Sequence, residues 1–330
     1  MAYITLNKQN FFHNLDIISK QTQSKDKIAF VLKDNAYGHG IVEMATMASE
    51  YGITKAVVQS NDEALVVEQF FEYVLVLADI PTISSKKICY AINDINAIVK
   101  FPKDTLVELK VNTGMNRNGI EIDEMEAAFE LIQTQGLKLK AIFTHHGCAD
   151  ETNGMYELQK RRFETIKSSA PKGLRFHSCN SAALFREENF SEDMARVGIV
   201  AYGCLEMPDS VVIPTFKPIL SLYAKKISSR SLSVGDSLGY GASFTADKEM
   251  TVSNYDFGYG DGFLRSLSNV FTTSEGVKIV GRISMDNSSF ISNAEQVLIF
   301  NDARHLAQDA KTISYEVLTS LKPALKKVVI

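Results

Sequence analysis

The sequence has no apolar run approaching the roughly 20 residues needed to span a bilayer, and it carries no strong charge of either sign. Its 35 Lys and Arg against 39 Asp and Glu leave a formal net charge of -4 over 330 residues. A weakly acidic chain gives no electrostatic reason to expect nucleic acid or an anionic membrane surface as partner. The N-terminus reads Met-Ala-Tyr-Ile-Thr-Leu-Asn-Lys, without the apolar stretch of a secretory signal. The four cysteines, Cys89, Cys148, Cys179 and Cys204, match neither a CxxC metal site nor a small disulfide framework. Reduced thiols are therefore expected, and with them a soluble cytoplasmic protein. Internal repeats and low-complexity segments are absent.

What is present is ordinary globular composition, 45% hydrophobic and 22% charged, enough for one large core or two domains. From about residue 28 to 203, short apolar runs alternate with helix-like stretches. The runs are Ile28–Leu32, Ala56–Val58, Val74–Leu77, Leu106–Leu109 with Val111, Leu139–Phe143, Leu174–Phe176 and Val197–Ala201, with weaker ones at Ile88–Ala91 and Ala97–Val99. Glu124–Thr134 and Tyr156–Ser168 read as helices. The alternation implies parallel βαβ units. The number of runs fits an α/β fold of the (β/α)8, TIM-type barrel kind. After about Pro214 short β-like runs alternate with Gly, Ser, Asn and Asp, and only Ser314–Leu321 reads as a helix. The expected organisation is a barrel over 1–213 and a smaller β-rich domain over 214–330.

Several segments can carry chemistry. In AFVLKDNAYGHG an apolar strand ends at Lys33, with Tyr37 in the turn beyond. Strand C-termini face the active site of a barrel, and a partly desolvated lysine there favours a covalent link to a carbonyl. A solvated lysine closing a strand explains the same segment. KVNTGMNRNG places Lys110 at a strand end and Arg117 in the following turn, where its planar fork can hold a carboxylate. In THHGCAD, His145 and His146 lack a third ligand at metal spacing, so no metal is expected and His145 reads as a group that orients a neighbour. HSCNSAA sets Ser181 before small helix formers, where it can meet a phosphate or simply cap the helix. ARVGIVAYG adds Arg196, Gly198 and Ile199 near the last strand, where barrel phosphate sites are often built. In the second domain Tyr240 and Tyr259 sit between glycines, in LGYGASFTA and FGYGDGF, and GRISMDN forms a polar turn. The spacing of Gly258, Gly260 and Gly262 lacks the strand and helix of a dinucleotide fingerprint.

In this order the segments LKDNAYGHG, TGMNR, CNSAA, ARVGI, GYGASF, GYGDG and GRISMD resemble the alanine racemase family, over most of the chain. The resemblance implies pyridoxal 5'-phosphate as cofactor and a head-to-tail homodimer whose active sites are shared. It implies that Lys33 carries the cofactor and that Tyr37, Ser181, Gly198, Ile199 and Tyr259 hold its phosphate. Arg196 would face the pyridine nitrogen and His177 would support the site. Arg117 would contact the substrate carboxylate and the cofactor phenol oxygen, with Lys110 in the position that is often carbamylated in this family. Tyr240, Met285 and Asp286 would reach into the partner's site.

Racemisation needs a proton removed from one face of Cα and one delivered to the other. Lys33 and the partner's Tyr240 would supply the two groups. The implied reaction is L-alanine to D-alanine for peptidoglycan. Two departures stand out. By counting, Pro323 falls about where the family often has a tyrosine at the substrate entrance, which keeps a broader racemase acting on serine or lysine open. His146 and Gly147 replace an apolar residue and alanine. The Glu-Pro-Gly-Arg motif of related decarboxylases is absent, and a carrier protein of this cofactor would lack the second domain.

Overall fold

The computed structural model describes residues 1–330, and the chain divides into two compact units. One unit, Phe12–Ala36 and Met44–Phe216, is the barrel. The other gathers Met1–Phe11, Tyr37–Glu43 and Lys217–Ile330. A single cut at 213/214 does not describe this division, because the first strand, β1 (Tyr3–Leu6), lies in the sheet of the second unit.

The barrel strands are β2 (Ile28–Val31), β3 (Lys55–Val58), β4 (Tyr73–Val76), β5 (Ile88–Ile92), β6 (Leu106–Lys110), β7 (Lys138–Phe143), β8 (Arg175–His177) and β9 (Ala195–Val197). All ladders between them are parallel, in the order β8-β7-β6-β5-β4-β3-β2-β9. Every residue of β2 and of β5 is buried, as continuous apolar runs covered on both faces must be. The seam between β8 and β9 has no ladder. Two backbone bonds close it, Asp193 N–H to Phe176 O at 3.1 Å and Arg196 N–H to Cys179 O at 2.9 Å.

Two expected strands are corrected. Ala97–Val99 belongs to a 3-10 helix, Ile95–Lys100, because Asp94 accepts from Asn96 N–H and starts a turn. The run Val197–Ala201 is strand only to Val197. Beyond it the Ala201 and Tyr202 N–H groups fold back onto Gly198 O, at 2.8 and 3.3 Å.

In the second unit β10 (Leu220–Leu232) is the spine. It pairs antiparallel with β1, β13 (Met250–Tyr255) and β16 (Gln296–Phe300). The sheet continues from β13 to β15 (Ser288–Phe290) and β14 (Ile279–Val280). At the other side β17 (Lys326–Val329) pairs parallel with β1. A short hairpin of β11 (Ser237–Leu238) and β12 (Phe244–Thr245) carries the Tyr240 turn. β1 alternates as half-buried strands do, with Ile4 and Leu6 fully buried. No helix is long and apolar enough to cross a membrane.

Candidate active site

Lys33 lies just beyond β2, after Leu32, and leads into a left-handed turn. Asp34, Asn35, Ala36 and Tyr37 have φ of 54°, 54°, 53° and 50°, and Gly38 continues at 75°. Ala36 N–H bonds Leu32 O at 2.8 Å across the turn. Left-handed backbone costs an L-residue roughly 1–2 kcal/mol, which Asp and Asn tolerate better than Ala or Tyr. Such a run persists only where its surroundings over-determine it. It leaves the Lys33 side chain about a third exposed, with Nζ 3.4 Å from Asp34 Oδ2.

The strand ends of the barrel gather the other groups. Arg196, on β9, is almost fully buried. Its Nη1 donates to His177 Nδ1 and, at 3.3 Å, to His177 O. Its Nη2 donates to Thr144 O at 2.7 Å and Ser178 O at 3.1 Å. A guanidinium only donates, so His177 Nδ1 must hold a lone pair. The proton then sits on Nε2, which donates to Glu108 Oε2 at 2.8 Å. Burial and the nearby Arg196 charge keep this imidazole below its usual pKa despite Glu108, consistent with a neutral ring. Glu108 is fully buried on β6 and also accepts from Arg175, at 3.0 Å, and from the Tyr73 hydroxyl. Burial opposes its ionised form, but His177, Arg175 and Tyr73 together hold the carboxyl below the usual range.

Lys110, at the end of β6, is buried, and Arg117 in the following turn is exposed. Neither they nor Arg196 forms a salt bridge. Desolvation, then the charges of Arg117 and Arg196, bring the Lys110 ammonium down to about 8. Burial and the same three cations push His145 well below its normal value. The barrel thus holds a cationic cluster without a paired anion.

Ser181 opens the short helix Ser181–Leu184, but Asn180 is its cap, accepting from Ala183 N–H at 2.9 Å. The Ser181 hydroxyl is left to accept from Gly198 N–H at 3.0 Å and Val200 N–H at 3.4 Å. Two backbone donors converge on one oxygen, as they would around a phosphate oxygen. The two loops at Arg117 and His145 are tied by a residue the sequence did not flag. Buried Gln159 donates to Thr113 Oγ1 at 3.1 Å and His145 O at 3.0 Å, and accepts from Gly147 N–H at 2.9 Å. His146 is buried edge-on against Tyr156, at 4.9 Å between ring centres, and burial lowers its pKa to about 4.

The second unit assembles its own group. Tyr259 N–H bonds Ser284 O at 3.0 Å and Gly260 N–H bonds Met285 O at 2.8 Å, so Tyr259, Met285 and Asp286 share one surface. Tyr240 is 66% exposed, Met285 56% and Tyr259 43%, so all three side chains are open to another surface. Tyr37 is buried with its ring 5.7 Å from that of Tyr315. Pro323 itself only offers its carbonyl to Lys327 Nζ, at 2.6 Å.

Residues 6–206 match the family model described as alanine racemase, N-terminal domain, and residues 219–329 the one described as alanine racemase, C-terminal domain. The chain belongs to the alanine racemase family. A curated alanine racemase from a Nitratiruptor species is 42% identical over 335 residues, 99% of each chain. Among solved structures, alanine racemase of Clostridium difficile 630 superposes with a TM-score of 0.90 at 24% identity, covering 100% of this chain and 95% of that one. A histidine racemase from Leuconostoc mesenteroides superposes with a TM-score of 0.87 at 25% identity, over 100% and 98%. Family membership makes the protein an isomerase on a barrel followed by a β-rich domain.

Proposed function

We propose that the protein interconverts L-alanine and D-alanine with pyridoxal 5'-phosphate, each site being completed by the partner subunit of a cytoplasmic homodimer. The observation that carries this reading is the unpaired cationic cluster of Lys110, Arg117 and Arg196, together with the two N–H groups converging on Ser181. An anionic cofactor and an amino-acid carboxylate are the ligands that such a donor set fits.

Lys33 would hold the cofactor, with Ser181, Gly198, Ile199, Tyr37 and Tyr259 around its phosphate. When bound, the cofactor delocalises the electron pair left at Cα. The protein supplies everything else. Arg196, charged and fixed by four acceptors on three residues, offers a hydrogen bond to the ring nitrogen without giving up a proton. Arg117 orients the substrate carboxylate. Lys33 takes or returns the Cα proton on one face and the partner's Tyr240 phenol on the other. Lys110 would become an anion beside the two arginines if its neutral amine added to carbon dioxide through a new N–C bond and released one N–H proton to water, which would steady Arg117. Met285 and Asp286 accompany Tyr240 into the partner's site. D-alanine for peptidoglycan is the product this reading implies.

A broader racemase acting on serine or lysine is the second reading, favoured by the likeness of the fold to a histidine racemase. Purified protein with added cofactor should convert L-alanine to an equal mixture of enantiomers in a chiral assay, faster than L-serine or L-lysine. Equal or faster turnover of those two selects the second reading, and no racemisation of any of the three overturns both.

A further inference from the structure

The left-handed turn after Lys33 is held from outside by one carboxylate. Glu63 Oε1 accepts from Asp34 N–H at 2.6 Å, and its Oε2 accepts from Gln59 N–H at 2.7 Å. Asp34 has φ 54° and ψ 51°, so the N–H that Glu63 accepts belongs to the first left-handed residue of the turn. Gln59 follows β3, whose partner strand β2 leads through Leu32 into Lys33. One side chain therefore ties the loops after two neighbouring barrel strands, at the residue next to Lys33.

This is not a helix cap with a spare oxygen. Ser60-Asn-Asp-Glu63 reads as a capping box, in which the glutamate would return to the Ser60 N–H. Half of that motif is present, since Ser60 Oγ accepts from Glu63 N–H at 3.3 Å. The carboxylate is diverted from Ser60 to Gln59 and Asp34. An ionised acceptor with two short N–H bonds is strong enough to hold backbone in an unfavourable region. Without it the Asp34 N–H loses its partner and the turn loses a restraint against relaxing to right-handed backbone. The direction in which Lys33 leaves the strand would relax with it.

We infer that Glu63 is a positioning residue for Lys33: it clamps the left-handed turn so that the lysine amine meets the cofactor and the Cα proton in one fixed orientation. The inference rests on the reading of Lys33 as the cofactor lysine. It adds a residue from a separate helix, Asn61–Val67.

The test is Glu63→Gln, which keeps the size and one acceptor oxygen but turns an amide N–H toward a backbone N–H. Ser60→Ala is the comparison, because it weakens the same helix start and leaves the carboxylate. Three quantities are read in full-length protein: kcat and KM for L-alanine, the rate at which pyridoxal phosphate added to stripped protein becomes linked to Lys33, and Tm. The linkage is followed by visible absorbance and by the borohydride-fixed Lys33 peptide. Glu63→Gln should lower kcat about ten- to a hundredfold with KM within about twofold, and should slow the linkage by a similar factor. Ser60→Ala should leave all the rates near wild type. Wild-type rates in Glu63→Gln, or equal losses in both variants at matched Tm, overturn the clamp. A fixed peptide at a lysine other than Lys33 in the wild-type protein overturns the underlying reading instead.

Discussion

At the scale of single residues, the barrel holds charges that its own side chains do not balance. Lys110 is the clearest case, since its ammonium is buried and faces two arginines. The folded value of about 8 lies below the unfolded lysine value near 10.4. For a base lowered in this way the unfolded chain binds more protons between the two values, so stability rises with pH across that window. Below about 8 the whole penalty is present; above about 10 it is gone. Lys110→Met should therefore raise the stability of cofactor-free protein in buffer stripped of carbon dioxide, by up to about 3 kcal/mol near pH 7. The gain should shrink as pH climbs from 8 toward 10, which urea denaturation at several pH values would show. A gain that is constant with pH would mean that packing, not charge, sets the effect. Lys110 and Arg117 could be singled out from strand-end and turn positions alone. Glu108 could not, although its signal was there: a carboxylate in the middle of LVELK, a parallel barrel strand, has to face a partner inside. Gln159 left no trace, because a single amide on a polar helix looks like solvent-facing surface.

At the scale of elements, the motifs are loops whose shapes depend on close backbone approach. Strand positions were legible because apolar runs of four or five residues betray buried parallel strands. The left-handed turn was not, since Asp34-Asn35 only permits that backbone and Glu63, 29 residues away, selects it. Nor was the irregular end of β9, where apolar residues continue past the last ladder bond into a turn. Gly258 shows the same dependence in the second unit. Its φ of -136° suits any residue, so backbone freedom is not why it is glycine. A Cβ there would lie 2.5 Å from Ser284 O and meet Met285 O closer still. Gly258→Ala should push the Tyr259 turn off the 284–287 turn while leaving the sheet folded. The expected result is a Tm drop of several degrees, roughly 1–3 kcal/mol of overpacking, together with a fall in kcat. Unchanged kcat in a folded Gly258→Ala protein would separate Tyr259 from the site.

At the scale of the whole molecule, the proposed machinery is split between two units, and in the proposed dimer the exposed part of it meets the partner. Tyr240, Met285 and Asp286 lie on the surface of the second unit. In a symmetric dimer each such surface is used twice, so a site that takes Lys33 from one chain and Tyr240 from the other has a twin with the roles exchanged. Complementation reads this arrangement directly. Lys33→Ala and Tyr240→Phe homodimers should each lack racemase activity. Co-expressed with different tags, they form mixed dimers in which one site pairs an intact Lys33 with an intact Tyr240 and the other site has neither. Random assembly makes half of the dimers mixed, so the preparation should regain about one quarter of wild-type activity, and the purified mixed dimer about half. If Lys33 and Tyr240 of one site came from the same chain, every site in the mixed dimer would carry one lesion and no activity would return. The regained activity should also fall on dilution if the dimer dissociates, in parallel with the loss of dimer seen by sedimentation. Activity that persists in a monomer would place both groups in one chain.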